Sequence, residues 1–132
     1  MRFMMIVKAN KDSEAGVLPT EKQLAEMGKY NEELVKAGVM LAGEGLQASS
    51  KGARVRFSGT KRTVIDGPFT ETKELIAGFW LIQAKSKEEA IELAKRFLKV
   101  MGEGVSEIRL MHEVPAFGET EESRRAPAAA KR

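Results

Sequence analysis

The spacing of apolar residues divides the chain into short strands and two longer helices. Residues 1–9 and 39–46 are apolar segments that predict strands, and residues 75–84 form the strongest strand pattern in the chain. Apolar residues recur at three- and four-residue spacings over 20–37 and 87–101, which predicts two helices. A last strand is predicted over residues 106–113, and residues 11–19 are predicted to form a loop.

Local signals mark the helix ends and a hairpin. Thr20 with Gln23, and Ser86 with Glu89, have the three-residue spacing of a capping box, and a glycine follows the last apolar position of each helix. Between the second strand and the strongest one, valine and phenylalanine alternate with arginine up to a turn at 58–60. The chain then returns as a second alternating segment, so these residues predict a β-hairpin.

The order of the predicted elements indicates the fold class. The chain runs strand–helix–strand, then a hairpin, then strand–helix–strand. This order predicts an α+β protein with the ferredoxin-like split βαβ arrangement and an inserted β-hairpin. Both helices must then cover the same face of one antiparallel sheet, and the opposite face should be polar.

The predicted strands are apolar on both faces, which changes this picture. Phe3, Met5 and Val7 lie on one side of the first strand, whereas Met4 and Ile6 lie on the other. The strongest strand is also apolar on both sides. A large exposed apolar face usually marks an interface. We therefore expect a homodimer whose sheets pack face to face as a dimeric α+β barrel. The alternative is that the inserted hairpin folds over part of this face.

The composition excludes many kinds of chemistry. The chain has no cysteine and one histidine, which excludes disulfides, thiolate metal sites, cysteine nucleophiles and any site that needs two imidazoles. It lacks the strand–glycine-rich loop–helix context of a dinucleotide or P-loop site, and we expect no cofactor. The net charge of +3 comes from mixed charges, so no nucleic-acid partner is expected.

Composition also suggests how the chain is divided. Residues 1–117 are predicted to form one domain, and residues 118–132, rich in Glu, Ser, Arg, Pro and Ala, a disordered charged tail. The N-terminal apolar run is too short for a signal-peptide core or a membrane span. We therefore expect a cytoplasmic protein without a membrane partner.

Candidate chemistry is concentrated in the nonapeptide DGPFTETKE, which begins at Asp66. Asp66, Glu71 and Glu74 supply carboxylates and Lys73 an ammonium group, on a loop between strands where catalytic groups are common. A carboxylate beside an apolar cavity can serve as a general acid or base. The alternative is structural: Asp66 accepts backbone N–H groups in a turn, and Phe69 fills the core.

Other charged residues add weaker candidates. Glu44 lies between two glycines at the end of the second strand, where a ligand can approach the backbone; a strand bulge is the alternative. An inward-facing Arg109 under a dimer interface would need a carboxylate partner, for which Glu44 and Asp66 are candidates. Glu44, Asp66 and Glu71 also offer oxygen ligands for a hard cation, although we expect no metal. The hairpin arginines either bind an anionic ligand or protect an exposed strand edge.

The nonapeptide and its surroundings resemble a known family. DGPFTETKE resembles the signature of the DGPF proteins, a branch of the YciI-like (YCII-related) family. Three further segments fall in the family's order: AGVMLAGEGLQASSKGARVRF (37–57), LIAGFWLIQAKSKEEAIELAKRF (75–97) and SEIRLMHE (106–113). The resemblance covers about residues 1–113 and implies a dimeric α+β barrel of ferredoxin-like protomers.

The resemblance implies two kinds of function. Some DGPF proteins are associated with extracytoplasmic-function sigma factors, and YciI-like proteins are suspected enzymes that use a histidine on the first helix and an aspartate. In that region this chain has Met27, Lys29, Tyr30 and Asn31, and its one histidine, His112, is on the last predicted strand. A histidine–aspartate mechanism is therefore not expected here.

We predict that the protein binds a small polar molecule, or acts on it by acid–base chemistry, in a pocket between sheet and helices. The nonapeptide and the end of the second strand would border this pocket. Asp66 is the predicted general base or hydrogen-bond acceptor, Lys73 or Arg109 would hold an anionic group, and Glu44 would orient it. The other predicted ligand-binding residues are Glu71, Glu74 and Phe69. The alternative is a non-enzymatic regulatory or partner-binding module, for example one that works with a sigma factor.

Overall fold

The fold is described by a computed structural model that covers residues 1–113; the predicted tail, 118–132, lies outside the described residues. The strands are β1 (Arg2–Lys8), β2 (Met40–Gly45), β3 (Ala53–Ser58), β4 (Lys61–Asp66), β5 (Ile76–Gln83) and β6 (Ser106–Leu110). The helices are α1 (Lys11–Glu14), α2 (Glu21–Lys36) and α3 (Lys87–Met101). Two 3-10 turns, Ser49–Lys51 and Thr72–Glu74, complete the secondary structure.

Four strands form one antiparallel sheet in the order β2-β5-β1-β6. Strand β5 lies between β2 and β1, so each strand–helix–strand unit spans a neighbouring strand, as in the ferredoxin-like split βαβ arrangement. Strands β3 and β4 pair only with each other and form the inserted hairpin. The predicted α+β class, with a ferredoxin-like sheet and an inserted hairpin, is confirmed.

Helices α2 and α3 cover one face of this sheet and bury its core. The residues that point to this face from β1 and β5 alternate with less buried neighbours, as the period of a strand requires. The fully buried side chains are Phe3, Met5 and Ile82. Trp80, Phe97 and Tyr30 join them from the sheet and the two helices.

Aromatic residues of the core pack the space between the sheet and the helices. Trp80 meets the Phe97 ring edge-on at a centroid distance of 4.7 Å and lies 5.9 Å from the Tyr30 ring. The Tyr30 hydroxyl donates to the Leu93 carbonyl oxygen at 2.9 Å, and burial raises its pKa. These side chains fill much of the space between sheet and helices, where a ligand pocket was predicted.

The capping signals are confirmed in α2 and in part in α3. Thr20 and Gln23 exchange both hydrogen bonds of a capping box. At α3, the Ser86 hydroxyl accepts from the Glu89 N–H at 3.2 Å, but the Glu89 carboxylate accepts from the Lys85 N–H instead of the Ser86 N–H. Both helices therefore begin within a residue of the predicted positions.

The loop predicted over 11–19 is wrong for its first residues, because α1 begins there. Asn10 and Ser13 form a capping box: the Asn10 side chain accepts from the Ser13 N–H, and the Ser13 hydroxyl accepts from the Asn10 N–H. This single turn of helix places Glu14 at its C-terminal end. The Glu14 carboxylate is therefore held beside the loop that follows β2.

The second face of the sheet is apolar at its centre. Met4 lies opposite Leu81 and Ile6 opposite Phe79 in the β1–β5 register, and all four point away from the helices. We call these four residues the open face. All residues of the hairpin strands are exposed, so the alternative that the hairpin folds over this face is wrong within this chain. Among residues 1–113, no helix has the length and apolarity needed to cross a membrane.

Candidate functional site

A cavity of about 580 Å³ lies beyond the end of β2. Its walls come from α1, from the loop after β2, from the start of β3 and from the second half of the DGPFTETKE nonapeptide with the start of β5. The polar residues that line it are Glu14, Gln47, Ser49, Lys51, Arg54 and Glu74. The size is that of a small-molecule site, and the cavity is bordered by the nonapeptide and the second strand, although α1 replaces the long helices as its third wall.

Three chain segments meet at Ser49 on the cavity wall. The Ser49 N–H donates to Glu14 Oε2 at 2.9 Å, and the Ser49 hydroxyl donates to Glu14 Oε1. The Phe69 N–H donates to Ser49 Oγ at 2.9 Å. We call Glu14, Ser49 and the Phe69 N–H the Ser49 clasp. It ties α1, the loop after β2 and the nonapeptide into one wall.

The Ser49 clasp holds Glu14 as an anion. Both donors of Ser49 stabilise the charged carboxylate, so the hydrogen bonds to the Ser49 hydroxyl and N–H lower the pKa of Glu14 below its ordinary value of 4.5. Burial opposes this effect only weakly. Glu14 is therefore ionised at neutral pH and serves as the hydrogen-bond acceptor of Ser49, and its lowered pKa makes it a weak base.

Gly67 allows the nonapeptide to approach the clasp closely. A Cβ atom added there would overlap the Ser49 carbonyl oxygen, so any other residue forces the two loops apart. The Gly67 N–H donates to the Gly52 carbonyl oxygen at 3.0 Å, which joins the same two loops a second time. The glycine and the neighbouring Phe69 of the nonapeptide thus have a structural role at the cavity wall.

Arg54 and Phe69 form the side of the cavity nearest the hairpin. The Arg54 guanidinium lies over the Phe69 ring at 3.9 Å from its centroid, which is close enough for a cation–π contact. Its distance to the Glu71 carboxylate is 3.9 Å, with both side chains about half exposed. Such a loose, exposed ion pair contributes little, so Arg54 can exchange Glu71 for another anion.

A second concavity, of about 750 Å³, shares part of this wall. Glu14, Lys51 and residues 46–48 contribute to both concavities. The second concavity is bordered by residues 13–19, where Val17 and Leu18 are exposed. Of the Ser49 clasp, Glu14 therefore borders both the first cavity and the second concavity.

The structure brings only part of the predicted site to this cavity. Phe69 and Glu74 line it, and Glu71 contacts Arg54 at its margin. Asp66, at the end of β4, and Lys73, in the second 3-10 turn, are exposed and line neither concavity. The predicted roles of these residues stay predictions. Phe69 is half-buried on the cavity wall, so the alternative that placed it in the core is wrong.

Glu44 and Arg109 lie far apart, because the strand order places β2 and β6 at opposite edges of the sheet. Three strand spacings separate these edges, which is roughly 14 Å. Arg109 instead contacts Glu107 on its own strand, with 3.3 Å between Nη1 and Oε2. Arg109 therefore does not reach Glu44 within one chain, and its pairing with a carboxylate under a dimer interface stays a prediction.

Within residues 1–113, no three carboxylate or imidazole groups lie together in a way that would hold a metal ion. Glu44, Asp66 and Glu71 thus do not form the oxygen-ligand site considered above. His112 is exposed after β6, and its carbonyl oxygen accepts from the Arg2 guanidinium at 3.2 Å.

Sequence reasoning missed Glu14 and Ser49. The segment that contains Glu14 had been predicted as a loop, and only the Asn10–Ser13 spacing signals the helix turn that fixes it. No local pattern links Glu14 with Ser49, because 35 positions separate them. Arg54 was noted only as one of several hairpin arginines.

Comparison with known proteins places the chain in a family. A model of the YCII-related domain matches residues 1–113. The uncharacterised protein R00369 of Rhizobium meliloti (strain 1021) is 33% identical over 75 residues, which are 57% of this chain and 60% of that protein, so the match spans less than two thirds of the relative. A solved structure of 5-chloro-2-hydroxyhydroquinone dehydrochlorinase from Burkholderia phenoliruptrix AC1100, in complex with 2,5-dihydroxybenzoquinone, matches 85% of this chain and 94% of its own at 13% identity and a TM-score of 0.44. Because the family model covers most of its length, the chain belongs to the YCII-related domain family.

Proposed function

We propose that the protein binds a small molecule that carries a carboxylate, in the 580 Å³ cavity beyond β2. The observation that carries this proposal is the Ser49 clasp, which fixes three chain segments around a cavity of ligand size. A fixed wall favours binding, because less conformational freedom is lost when the ligand arrives.

Two cations on the cavity wall favour an anionic ligand. The wall also carries the carboxylates of Glu14 and Glu74. Glu14 stays charged, but both of its carboxylate oxygens already accept from Ser49. Lys51 and Arg54 are the cations that line the cavity, and Arg54 is held only by the loose Glu71 pair and the Phe69 ring. A guanidinium presents two parallel donors to a carboxylate, which makes Arg54 the best candidate for binding it.

If the protein also catalyses a reaction, Glu14 is better placed than Asp66 to take a proton. It lines the cavity and is ionised, although the Ser49 hydrogen bonds that lower its pKa also make it a weaker base than a free carboxylate. Asp66 lies outside the cavity lining. The proposal therefore moves the acceptor role from Asp66 to Glu14 and the anion-binding role from Lys73 or Arg109 to Arg54.

The test uses benzoate and succinate as probes, with the neutral benzamide and succinamide as controls. Carboxylates should raise the melting temperature of the wild type, since a ligand at one hundred times its Kd stabilises the folded state by about 2.7 kcal/mol. Arg54→Gln should abolish the shift. Arg56→Gln, a neighbouring arginine outside the lining, should retain it. Equal shifts with the amides, or an unchanged response in Arg54→Gln, would contradict the proposal.

We also propose that the open face packs against the same face of a second copy, as a dimeric α+β barrel. The supporting observation is the apolar centre formed by Met4, Ile6, Phe79 and Leu81, which no part of residues 1–113 covers. Light scattering after size-exclusion chromatography should give about twice 14.5 kDa. Ile6→Asp should give the monomer mass, whereas Leu24→Asp, on an exposed position of α2, should not. A monomeric wild type would contradict the dimer.

A further inference from the structure

The β3–β4 hairpin, which we call the arm (residues 53–66), is the least supported element of the fold. Every residue of its two strands is exposed. Its base is fixed by the Gly67–Gly52 hydrogen bond and by the Arg54 contacts. In the described part of the chain, no hydrogen bond or ion pair joins residues 55–65 to any other element. A two-stranded hairpin on its own is marginally stable in water, so the arm needs a surface to pack on.

One side of the arm is apolar and the other is basic. Val55 lies opposite Val64, and Phe57 lies opposite Arg62, so these four side chains share one face of the ribbon. Val55, Phe57 and Val64 are 72%, 63% and 65% exposed. The opposite face carries Arg54, Arg56 and Thr63, together with Ile65 opposite Arg54. An alternation this regular is typical of a sheet with one buried face, yet nothing within the described chain buries it.

The arm also carries the whole excess of positive charge. Its strands and turn contain four basic residues and one acidic residue, whereas the chain has 22 basic and 19 acidic residues in total. The rest of the chain is therefore neutral overall. Two arms would repel each other, so the surface that receives an arm must be apolar and must carry free carboxylates.

The open face and its β2 edge meet both requirements. Glu44 lies opposite Phe79 in the β2–β5 register, so it points to the same side as the apolar centre. It is exposed, and no ion pair or hydrogen bond engages its carboxylate within residues 1–113. The arm of the same chain does not pack on this surface, because every residue of its two strands remains exposed. In a dimer, the open face of a second copy offers the same apolar and acidic surface to the arm of the first copy.

We propose that the arm of each copy packs its Val55–Phe57–Val64 face on the β2 margin of the other copy's open face, with Arg62 paired to Glu44 of the partner subunit. This inference rests on the proposed dimer and adds a second, reciprocal contact to it. Twofold symmetry then produces the contact twice. A nucleic acid is a poorer occupant, because it would leave the two valines of the arm without an apolar partner.

The arm would connect the dimer to the ligand cavity. Ala53 and Arg54 are the first residues of β3, and both line the cavity. An arm that is held by the partner subunit keeps this end of β3 in one position. The partner would therefore complete the anion site indirectly, by fixing the strand that carries Arg54.

The absence of cysteine from the chain makes a direct test simple. Phe57→Cys places the only thiol on the apolar side of the arm, and Ser58→Cys places it on the opposite side as the matched control. Each variant is labelled with benzophenone maleimide, irradiated and digested for mass spectrometry. Phe57→Cys should give a cross-linked dimer with the label on residues of β1, β2 or β5, at about ten times the yield from Ser58→Cys. Equal yields, or labels confined to the arm itself, would overturn the proposal.

Charge reversal tests the specific pair. Arg62→Glu and Glu44→Arg should each weaken dimerisation by about tenfold, and the double variant should recover most of this loss. If the wild type is a dimer and Phe57→Asp dimerises as tightly as the wild type, the arm proposal fails and the sheet dimer stands. If the wild type is a monomer at all concentrations, the dimer itself fails.

Discussion

At the scale of single residues, the cavity wall depends most on Ser49. Its hydroxyl donates to Glu14 and accepts from the Phe69 N–H, and its own N–H binds the same carboxylate. A single side chain therefore connects a helix turn, a loop and the DGPFTETKE nonapeptide. Loss of the hydroxyl leaves the partly buried Phe69 N–H without its acceptor. A buried donor that has lost its acceptor is destabilising, because its desolvation is no longer compensated.

We therefore expect Ser49→Ala to lower the free energy of unfolding by about 1–2 kcal/mol. It should also weaken carboxylate binding, because the cavity wall loosens. Urea denaturation and the benzoate thermal shift measure the two effects. Ser50→Ala is the matched control, since the neighbouring hydroxyl makes none of these bonds. A Ser49→Ala protein as stable as Ser50→Ala would show that the clasp does not hold the loops together.

The lowered pKa of Glu14 predicts that this residue makes the stability of the protein depend on pH. The folded state favours the ionised carboxylate, so its contribution to stability is complete above the ordinary pKa of 4.5 and disappears as pH falls through the lower folded pKa. Between about pH 5 and pH 3, the wild type should lose stability more steeply than Glu14→Gln. Urea titrations at several pH values measure this difference, and parallel curves would contradict it.

The limit of sequence reasoning is clearest at this scale. The nonapeptide was recognisable, and Phe69 and Glu74 do line the cavity. The hydrogen-bond partners that position Phe69 could not be predicted, because hydrogen bonds between residues distant in the sequence leave no periodic pattern. Asp66 and Lys73 were selected for their chemistry, but they lie at a strand end and in a 3-10 turn, and neither lines the cavity. Residue type identified side chains with suitable chemistry, but only the fold determines which of them line the cavity.

At the scale of elements, the spacing of apolar residues predicted nearly all helices and strands that have a regular buried face. The sheet strands, α2 and α3 have such a face, and their bounds lie close to the predicted ones. The short helix α1 has no buried residue, so no apolar spacing could reveal it. The predicted hairpin is present, but its apolar side is exposed and not packed on the sheet as the alternative required.

The attachment of α3 to the sheet gives a prediction at this scale. Phe97 is 4% exposed, and the Trp80 ring meets it edge-on at 4.7 Å, so its removal leaves a cavity between helix and sheet. We expect Phe97→Ala to cost about 3–5 kcal/mol. Leu24→Ala, at an exposed position of α2, should change stability by less than about 0.5 kcal/mol. Chemical denaturation compares them, and similar losses would mean that the aromatic contact does not carry the packing of α3.

At the scale of the whole molecule, the proposed dimer and the proposed ligand site are linked through the arm. Its inner end carries Arg54 into the cavity, and its outer part carries the exposed Phe57 toward the partner subunit. If the partner subunit fixes the arm, dimerisation and ligand binding must favour each other. Linkage requires this coupling to be equal in both directions.

The reciprocity can be measured on the wild-type protein. Dilution below the dimer dissociation constant should raise the Kd for benzoate about fivefold or more, and saturating benzoate should tighten the dimer by the same factor. Calorimetry at several protein concentrations measures the first quantity, and sedimentation with and without benzoate measures the second. Phe57→Asp should remove the coupling in both experiments while its monomer still binds benzoate at the weaker level. A dimer whose benzoate affinity does not change on dilution would show that the arm and the cavity act independently, because the position of β3 is the feature that the arm and the cavity share.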